Sequence, residues 1–566
     1  MNEQRYVPRR DISNVRPQGG YMAKRCPLRV YYDAFPPPGT VPFEAQKIDQ
    51  LRMRAGVEFE AAVFDVIRSQ HRGVVDLSVF DDAEAATVRA MQEGVEVIIA
   101  GTLPLDAVGR RVGKPDILVR AELRSDGIWA YHPVDVKHHQ TLEPVKKKGT
   151  PATVGSLATL AFGDARPAEG YQSRWGDSVK DDLLQLAHYH RMLGACGHGS
   201  DAAVAAVIGS DQVVVWHRLD TTVFKPRWEG MPRESALQRY DFEFSFRLDV
   251  LAAGSTGERI VEPVKTSDCD GCNWETLCVP QMKAADCVSL LPMQGYTAWR
   301  AFRRAGLTTR AQVATLDPLA ANRVAGITSL PEVIDQALVA TRGGGKPHRR
   351  RGIEAIEVPH FDVELDIDME NAIGGGVYLW GAFDGTNSST FVRWDDPASE
   401  VEAKVFAEFW EWLTRRRREA EIAGLTLGAF CWNETAEKTA LRRGASAAVT
   451  HLGMIDATDE VEQFFDAGGL VDLMKTFKGQ LITGGSVSLK AIAPLTGFSW
   501  GDEEAGGDNS MAWHHDALHD PDAATRTLLR ERLIQYNRND VLATAVVRTW
   551  LRDTAFPSIV ELGGMT

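Results

Sequence analysis

Two short apolar segments in the first third of the chain constrain its fold more than any other feature. Residues 117–119 and 129–136 are short and rich in β-branched side chains, and a Ser-Asp-Gly turn lies between them. This arrangement predicts a β-hairpin or two adjacent strands. Because strand side chains alternate, Asp135 and Lys137 share one face, and Asp116 opens the first strand. Carboxylates gathered at a sheet end favour a divalent cation, which activates water against a phosphodiester. An exposed ion pair is the alternative.

Length and charge set the broad class of the protein. A chain of 566 residues is too long for one core, so we expect about three domains. The net charge of −14 argues against a surface that is basic throughout, so any nucleic-acid site needs local positive charge. Candidate basic segments are 146–148, 348–351 and 415–418. No apolar run of eighteen residues and no charged-then-apolar leader stands in the sequence, so we expect a cytoplasmic protein without a membrane partner.

Two helices are predicted on either side of the hairpin. The apolar periodicity over residues 45–69 predicts a helix that carries Glu58 and Glu60. A second helix is predicted over residues 179–193, where Gln185 and Tyr189 are four apart and therefore share a face. With further strands near 95–99, 203–208 and 213–218, the order of elements favours an α/β core around a mixed sheet. A polar, Gly-rich insertion over 140–176 interrupts this core.

This part of the chain resembles the RecB-type branch of the PD-(D/E)XK nucleases, which have a restriction-endonuclease-like core. The resemblance rests on Pro115-Asp116, on Asp135-Val136-Lys137 and on the helix with Gln-x-x-x-Tyr. It implies that Lys137 orients or deprotonates the attacking water, and that Gln185 and Tyr189 steady the site or the DNA. It also implies a set of Mg²⁺ or Mn²⁺ ligands: Glu60, Asp116, Asp135 and the carbonyl of Val136. Relatives often carry His before the helix Glu, where this chain has Phe59, so Glu58 is an alternative ligand.

Four of the seven cysteines form a second recognisable pattern. Cys269, Cys272 and Cys278 are closely spaced, and Cys26 stands alone far upstream. Thiolates at such spacing bind zinc or an iron–sulfur cluster. The set resembles the iron–sulfur staple of RecB-like and AddB-type nucleases, which implies a [4Fe–4S] cluster that closes a nuclease domain over residues 1–282. Zinc, or cysteines without a role, are the alternatives.

The middle of the chain changes character. Residues 283–342 read as short helices joined by Gly-containing turns, which resembles a helix-hairpin-helix module whose loop amides approach DNA phosphates. A plain helical spacer is equally consistent with the pattern. Residues 343–356 are a basic, Gly-rich linker by composition. Its Gly-Gly-Gly-Lys lacks the spacing of a phosphate-binding loop, so no ATPase motor is predicted.

A second set of acids opens the region 357–566, which we expect to be a separate α/β domain. Alternation in FDVELDIDMEN places Asp366, Asp368 and Glu370 on one strand face. Three acids on one face repel one another without cations, although a solvated edge strand is the alternative. A late amphipathic helix carries Tyr536 and Asp540 four apart, on one face.

This acid pattern resembles the DEDDy exonucleases of the ribonuclease-H-like fold. The resemblance implies that two metal ions are held by four acids: Asp368, Glu370, Glu437 and Asp540. Tyr536 would position the water. Asp472 is an alternative to Glu437, because the family's second acid is normally Asp, and Asp366-x-Asp368 is an alternative frame for the first pair.

Taken together, the sequence predicts a multidomain α/β protein that acts as a Mg²⁺- or Mn²⁺-dependent nuclease. The expected substrate is DNA, single-stranded or at ends, in repair or defence. One alternative is a non-catalytic DNA-binding subunit that guides a helicase or nuclease partner. Another is an RNA-processing 3′–5′ exonuclease that uses the C-terminal site alone.

Overall fold

The computed structural model describes most of the chain and divides it into two compact units. The described residues are 7–42, 47–145, 149–227, 230–292, 295–318, 324, 326–327, 329–502, 504, 506–553 and 559–562. One unit comprises Met1–Ala45 and Met53–Met282, and the other comprises Gln46–Arg52 and Lys283–Thr566. The tri-lysine at 146–148 and Thr328 of the predicted helix-hairpin-helix turn lie outside the described residues.

The N-terminal part of the chain is built around a mixed eight-stranded sheet. Its helices are α1 (Pro27–Ala34), α2 (Lys47–Gln70), α3 (Ala83–Glu93), α4 (Asp177–Ala195), α5 (Ala236–Ser255) and α6 (Glu275–Ala284). Its strands are β1 (Val74–Asp76), β2 (Val97–Ile99), β3 (Leu103–Asp106), β4 (Arg111–Gly113), β5 (Ile117–Leu123), β6 (Trp129–Val136), β7 (Leu142–Pro144), β8 (Thr153–Gly155), β9 (Arg166–Pro167), β10 (Tyr171–Ser173), β11 (Val204–Ile208), β12 (Val214–Arg218), β13 (Thr222–Phe224) and β14 (Glu234–Ser235). The sheet order is β1-β2-β5-β6-β11-β12-β8-β9.

The predicted hairpin is the centre of this sheet. Strand β5 pairs antiparallel with β6, and β6 pairs in parallel with β11, where Asp135 lies beside Val207. Apolar side chains of α2, including Val63 and Ile67, pack on one face of the strands. Helix α4 contributes Tyr189 and Met192 to the core on the opposite face. The pattern of alternating side chains therefore turns Asp135 and Lys137 away from the α2 core.

The segment predicted as an insertion contains regular structure. Residues 140–176 include four strands of two or three residues, and β8 and β9 extend the main sheet beyond β12. Strands this short carry too few side chains to show alternation, so their pairing does not follow from the sequence.

The second unit contains a five-stranded mixed sheet and ten α-helices in its described residues, of which α16 is the longest. Its helices are α7 (Gly295–Arg304), α8 (Arg310–Ala314), α9 (Leu330–Arg342), α10 (Ser399–Ile422), α11 (Glu434–Leu452), α12 (Ala457–Asp466), α13 (Leu473–Gln480), α14 (Leu489–Ile492), α15 (Gly507–His519) and α16 (Ala523–Asp553). Its strands are β15 (His348–Arg349), β16 (Val363–Asn371), β17 (Val377–Phe383), β18 (Ser388–Val392), β19 (Leu427–Cys431), β20 (Leu470–Asp472) and β21 (Leu481–Ile482). The main sheet has the order β18-β17-β16-β19-β20.

Strand β16 lies at the centre of this sheet and separates an apolar layer from an acidic one. Leu365 and Ile367 pack with Phe406, Phe409 and Leu441 of α10 and α11. The alternate residues of β16 face the long helix α16, which packs on the other side. The strand thus buries its apolar face and presents its acids to one helix.

The helical and linker segments ahead of this sheet have their own packing. Helices α7, α8 and α9 share a core that includes Phe302, Val313 and Ile334. Within the segment predicted as a linker, β15 pairs antiparallel with β21. Arg349 also donates hydrogen bonds to backbone carbonyls, including that of Ile559. Contacts between residues so far apart in sequence cannot be predicted from the glycine- and arginine-rich composition of this segment.

Candidate functional site

Three carboxylates of the second unit converge between β16 and α16. Asp368, Glu370 and Asp540 each offer a carboxylate oxygen, and these three oxygens lie within 4.8 Å of one another. Within the described ranges this is the one group of three or more metal-ligating side chains packed so closely. Asp368 and Glu370 come from alternate positions of the central strand, and Asp540 comes from the helix that covers it. Oxygen ligands gathered in this way suit Mg²⁺ or Mn²⁺.

Burial and mutual repulsion disfavour the charged forms of these carboxyls. Burial raises the pKa of Glu370 to about 8, and the charge of Asp540 adds to the shift. Burial also raises the pKa of Asp368 well above its usual range, with further contributions from Asp540, Glu370 and Glu437. These shifts favour the protonated forms of both carboxyls, and a bound divalent cation would favour their charged forms.

Glu437 faces the same cluster from the first turn of α11. Asn433 caps this helix after β19, and Glu437 follows one turn later. Its side chain is buried, and Oε2 has no hydrogen-bond donor. Burial raises its pKa to about 8. Glu437 does not belong to the group within 4.8 Å, but its charge acts on Asp368.

The two alternative acids have other partners, although the charge of Asp472 also acts on Glu437. Oδ1 of Asp472 accepts the backbone N–H of Lys475, 2.9 Å away, and so caps α13. Asp366 is fully buried in a forked ion pair with Arg548, whose Nε and Nη2 lie 3.0 and 2.7 Å from its two oxygens. The Asp368–Glu370 frame is therefore the one that meets Asp540.

Tyr536 lies one helical turn before Asp540, as its spacing predicts. Its side chain is buried, and burial raises the pKa of its hydroxyl, with Asp540 and Glu370 adding to the shift. The phenol therefore stays protonated beside the acids and can donate a hydrogen bond.

Four further side chains at this site were not predicted from the sequence. Asn537 donates from Nδ2 to Oδ2 of Asp368 over 2.9 Å, and Ser510 donates from Oγ to Oε2 of Glu370 over 2.9 Å. Lys490 lies 2.9 Å from Oδ1 of Asp540, and the indole N–H of Trp500 donates to the same oxygen. Such partners orient metal ligands. Asn537 alone had a local signal, since it follows Tyr536 on the same helix.

The N-terminal acids meet at the end of the β5–β6 hairpin. Oδ2 of Asp116 accepts the backbone N–H of Val136, 2.7 Å away. Asp135 is fully buried, and Nζ of Lys137 lies 3.1 Å from its Oδ2. Burial raises the pKa of Asp116 well above its usual range, with the charges of Asp135 and Glu60 adding to the shift. In the described part of the chain these acids do not form a group within 4.8 Å.

Helix α2 supplies Glu60 rather than Glu58 to this site. Glu60 is half-buried, and burial raises its pKa while Lys137 opposes the shift and Asp135 adds to it. Glu58 is exposed. Phe59 stacks on the ring of His138, with ring centroids 5.2 Å apart, so a histidine does contact the residue before the helix acid, although it comes from the segment that follows β6.

Gln185 and Tyr189 reach the same end of the sheet from α4. Nε2 of Gln185 donates to the hydroxyl of Tyr189 over 3.0 Å, and that hydroxyl donates to the carbonyl of Lys114 over 3.2 Å. The sequence does not reveal two other side chains nearby: Lys24, whose Nζ is 3.4 Å from Oε1 of Gln185, and Asp182, whose Oδ2 is 2.8 Å from Nε2 of His139.

The four cysteines of the predicted staple act on one another electrostatically. Burial raises the pKa of Cys278 to about 12, with contributions from its three counterparts, Cys26, Cys272 and Cys269. Burial likewise raises the pKa of Cys269 and of Cys272, each with a contribution from Cys26. Cys26 also packs against the same buried cluster as Cys272 and Cys278.

The described basic segments are largely engaged with the protein itself. Arg350 donates to the carbonyl of Lys478 and pairs with Glu332, and Arg351 pairs with Asp335. Arg416 pairs with Asp384 in the second segment. These arginines hold the fold together, and their sequence clustering is weak support for a nucleic-acid surface.

Comparison with known families identifies the class of the second unit's main domain. Residues 360–552 match the model of the RNase_H superfamily. This part of the chain is an RNase H-like domain, a nuclease-type fold, and the match includes the acids at positions 368, 370, 437 and 540. Domains of this class use divalent metals, which suits the acidic cluster. No curated protein and no solved structure matches the chain. Among the described helices, none combines the length and apolar character needed to cross a bilayer.

Proposed function

We propose that the chain is a metal-dependent nuclease that hydrolyses phosphodiester bonds of DNA, in single strands or at ends. The observation that carries this proposal is the convergence of Asp368, Glu370 and Asp540 in an RNase H-like domain. Their raised pKa values and the buried Oε2 of Glu437, which has no donor, fit a site built for positive charge.

In this proposal the four acids hold Mg²⁺ or Mn²⁺ at the C-terminal site. Two divalent cations bound there would stabilise both the attacking and the leaving oxygen of the phosphate ester. Asn537 and Ser510 keep the carboxylates of Asp368 and Glu370 in position by donating to one oxygen of each. Tyr536, which stays protonated, donates from its hydroxyl to orient the attacking water.

We further propose a second, PD-(D/E)XK-like site in the N-terminal unit. Glu60, Asp116 and Asp135 would hold its cation, with the carbonyl of Val136 as a further ligand. Burial lowers the pKa of Lys137, but Asp135 and Asp116 outweigh burial and keep the pKa above its ordinary value. A charged ammonium orients water and binds phosphate oxygens but does not remove a proton, so orientation is the role that we assign to it.

The staple, the substrate and the cellular role are parts of the same proposal. Cys26, Cys272 and Cys278 pack against one buried cluster, and with Cys269 they are the residues that we assign to a [4Fe–4S] cluster, with Zn²⁺ as the alternative. Within the described residues, no three of these thiols lie within 4.8 Å of one another. Anaerobically purified protein should be brown and contain roughly four irons per chain. DNA repair or defence, in a cytoplasmic setting and beside a helicase or another nuclease, is the role that we propose.

One observation favours a second candidate function, a non-catalytic DNA-binding subunit. Each acid set already contains a lysine ammonium, from Lys137 or Lys490, so each can persist without a metal ion. Labelled DNA and RNA strands, incubated with Mg²⁺ or Mn²⁺, separate these functions. Cleavage of DNA supports the nuclease, cleavage of RNA alone supports an RNA-processing 3′–5′ exonuclease, and binding without cleavage supports the non-catalytic subunit.

A further inference from the structure

Lys490 places a positive charge at the C-terminal site, next to one of the acids. It belongs to the short helix α14, and its Nζ is 2.9 Å from Oδ1 of Asp540. The same Nζ lies 4.1 Å from the ring centroid of Trp500 and 4.5 Å from that of Tyr536. Two aromatic faces and one carboxylate form a cradle for a positive charge.

The segment that carries this lysine is fixed to α16 at several points. The carbonyl of Trp500 accepts Nδ2 of Asn539 over 2.9 Å. Asp502 accepts two hydrogen bonds from Arg532, of 2.8 and 2.9 Å. Ile492 is buried in the core that α16 helps to form. The backbone of the segment is therefore held close to Asp540, while the lysine side chain, one-third exposed, keeps a route to solvent.

The ammonium competes directly with a metal ion. Oδ1 of Asp540 already receives Lys490 and the indole N–H of Trp500, and Asp540 is one of the three acids in the group within 4.8 Å. A divalent cation on this oxygen would lie within a few ångströms of the lysine charge, where like charges repel strongly. A divalent cation on this oxygen would therefore favour displacement of the ammonium.

We propose that Lys490 is an exchangeable counter-charge. It neutralises Asp540 until a divalent cation takes its place, and the released ammonium then binds a phosphate of the nucleic-acid strand. The long, flexible side chain allows this exchange, since a lysine ammonium can turn from carboxylate to phosphate without movement of the backbone. The proposal rests on the proposed metal-dependent nuclease and adds a role for a residue outside the acid set.

Metal affinity tests the first half of the exchange. Mn²⁺ is titrated into the full-length protein and free Mn²⁺ is followed by electron paramagnetic resonance. Lys490→Met should bind Mn²⁺ at the C-terminal site about tenfold more tightly than the wild type, because a competing charge is gone. Lys490→Arg, which keeps the charge, should stay near the wild type. Lys404→Met is the matched control, because Lys404 pairs with Glu400 on the exposed face of α10. Unchanged or weaker Mn²⁺ binding by Lys490→Met would overturn the proposal.

Strand binding tests the second half. A labelled single-stranded oligodeoxynucleotide is titrated in Ca²⁺, and anisotropy is recorded at several salt concentrations. Lys490→Met should bind the oligodeoxynucleotide several-fold more weakly. The slope of log affinity against log salt should become shallower by about the amount that one phosphate contact contributes. An unchanged affinity and slope would overturn the phosphate contact.

Asp540→Asn separates failure of this proposal from failure of the proposed function. If Asp540→Asn loses Mn²⁺ that the wild type binds, the metal site stands, and the Lys490 variants alone decide the exchange. If Asp540→Asn and the wild type bind Mn²⁺ equally, the metal site fails and the exchange fails with it.

Discussion

The two acid sets of this chain solve the same electrostatic problem in different ways. In the N-terminal unit, Asp135 and Lys137 are neighbours on one strand end, so the positive charge is fixed by the strand register. In the RNase H-like domain, Asp368 and Glu370 have no lysine on their own strand, and Lys490 reaches Asp540 from a separate short helix. A built-in counter-charge is permanent, whereas one delivered by a neighbouring segment can be exchanged.

The difference also appears in the packing of the carboxylates. The C-terminal oxygens are drawn within 4.8 Å of one another, and their repulsion is part of the reason that the pKa values of Asp368 and Glu370 rise. Lysine opposes the rise in both sets: Lys490 does so at Asp368 and Glu370, and Lys137 does so at Asp135 and Glu60. In the described part of the chain, however, the N-terminal acids form no group within 4.8 Å. We therefore expect the C-terminal site to depend more strongly on a divalent cation for its stability.

The largest expected effect is the loss of C-terminal catalysis. Asp540→Asn should lower metal-dependent cleavage by that site about 1000-fold, because it removes a ligand worth several kcal/mol of charge stabilisation. Rates are measured in the Asp135→Asn background, so that the N-terminal site does not contribute. Asp553→Asn, at the exposed end of the same helix, should keep the parental rate. A rate within tenfold of the parent for Asp540→Asn would place catalysis elsewhere.

The second effect concerns the fixed ion pair. Lys137→Gln leaves a fully buried carboxylate without its charge partner and should lower the free energy of unfolding by about 3 kcal/mol without metal. The double variant Asp135→Asn/Lys137→Gln should recover much of that loss. Chemical denaturation gives both values. Lys490→Met alters a partly exposed ion pair and should lower the free energy of unfolding by less. An equal loss in Lys490→Met and Lys137→Gln would contradict the distinction between a fixed and an exchangeable counter-charge.

A smaller effect is expected from a glycine beside the C-terminal acids. Gly381 pairs with Asp368 across β16 and β17, and a Cβ at this position would lie 1.9 Å from Oδ1 of Asn537. Gly381→Ala should push Asn537 away from Asp368 and weaken Mn²⁺ binding about tenfold, as loss of a ligand-orienting partner does. Gly479→Ala, where no atom lies within 4 Å of the added methyl, is the control. Equal Mn²⁺ affinity in both variants would mean that Asn537 does not orient the ligand.

The smallest effect is a dependence of stability on pH. Glu370 and Glu437 have pKa values of about 8 in the folded protein, above those of an unfolded chain. The stability that their protonation provides is fully present below the unfolded pKa and is lost as pH rises through about 8. The Tm of metal-free protein should therefore fall by a few degrees between pH 6 and pH 9. In calorimetry, Glu370→Gln/Glu437→Gln should flatten this decline. An identical decline in the double variant would show that these carboxyls are not responsible.

Much of the site's framework follows from sequence because its signals are local. Alternation along β16 places Asp368 and Glu370 on one face, and a four-residue spacing places Tyr536 and Asp540 on one face of α16. The hairpin of β5 and β6 is equally legible, since two β-branched runs flank a turn. Each of these inferences needs only one element or two that are adjacent in sequence.

The remaining features depend on tertiary packing. Lys490 lies on a helix of only four residues, and its partner Asp540 follows fifty residues later. So short a helix shows no periodicity from which this contact could be predicted. The spacing of Asp366 and Asp368 does not show which of them belongs to the acidic cluster. The structure decides this, because Arg548 forms an ion pair with Asp366. The short strands β8 and β9 join the main sheet because β8 pairs with β12, about sixty residues later in the chain. The local sequence does not indicate this partner.

Cleavage by four matched proteins examines the two-site nuclease as a whole. Wild type, Asp135→Asn, Asp540→Asn and the double variant are incubated with end-labelled single-stranded DNA in Mn²⁺, with a chelated sample of each. We predict cleavage by the wild type, partial loss in each single variant, and none in the double variant or with chelator. Full cleavage by the double variant, or none by the wild type with either Mn²⁺ or Mg²⁺, would contradict the assignment of catalysis to these acids.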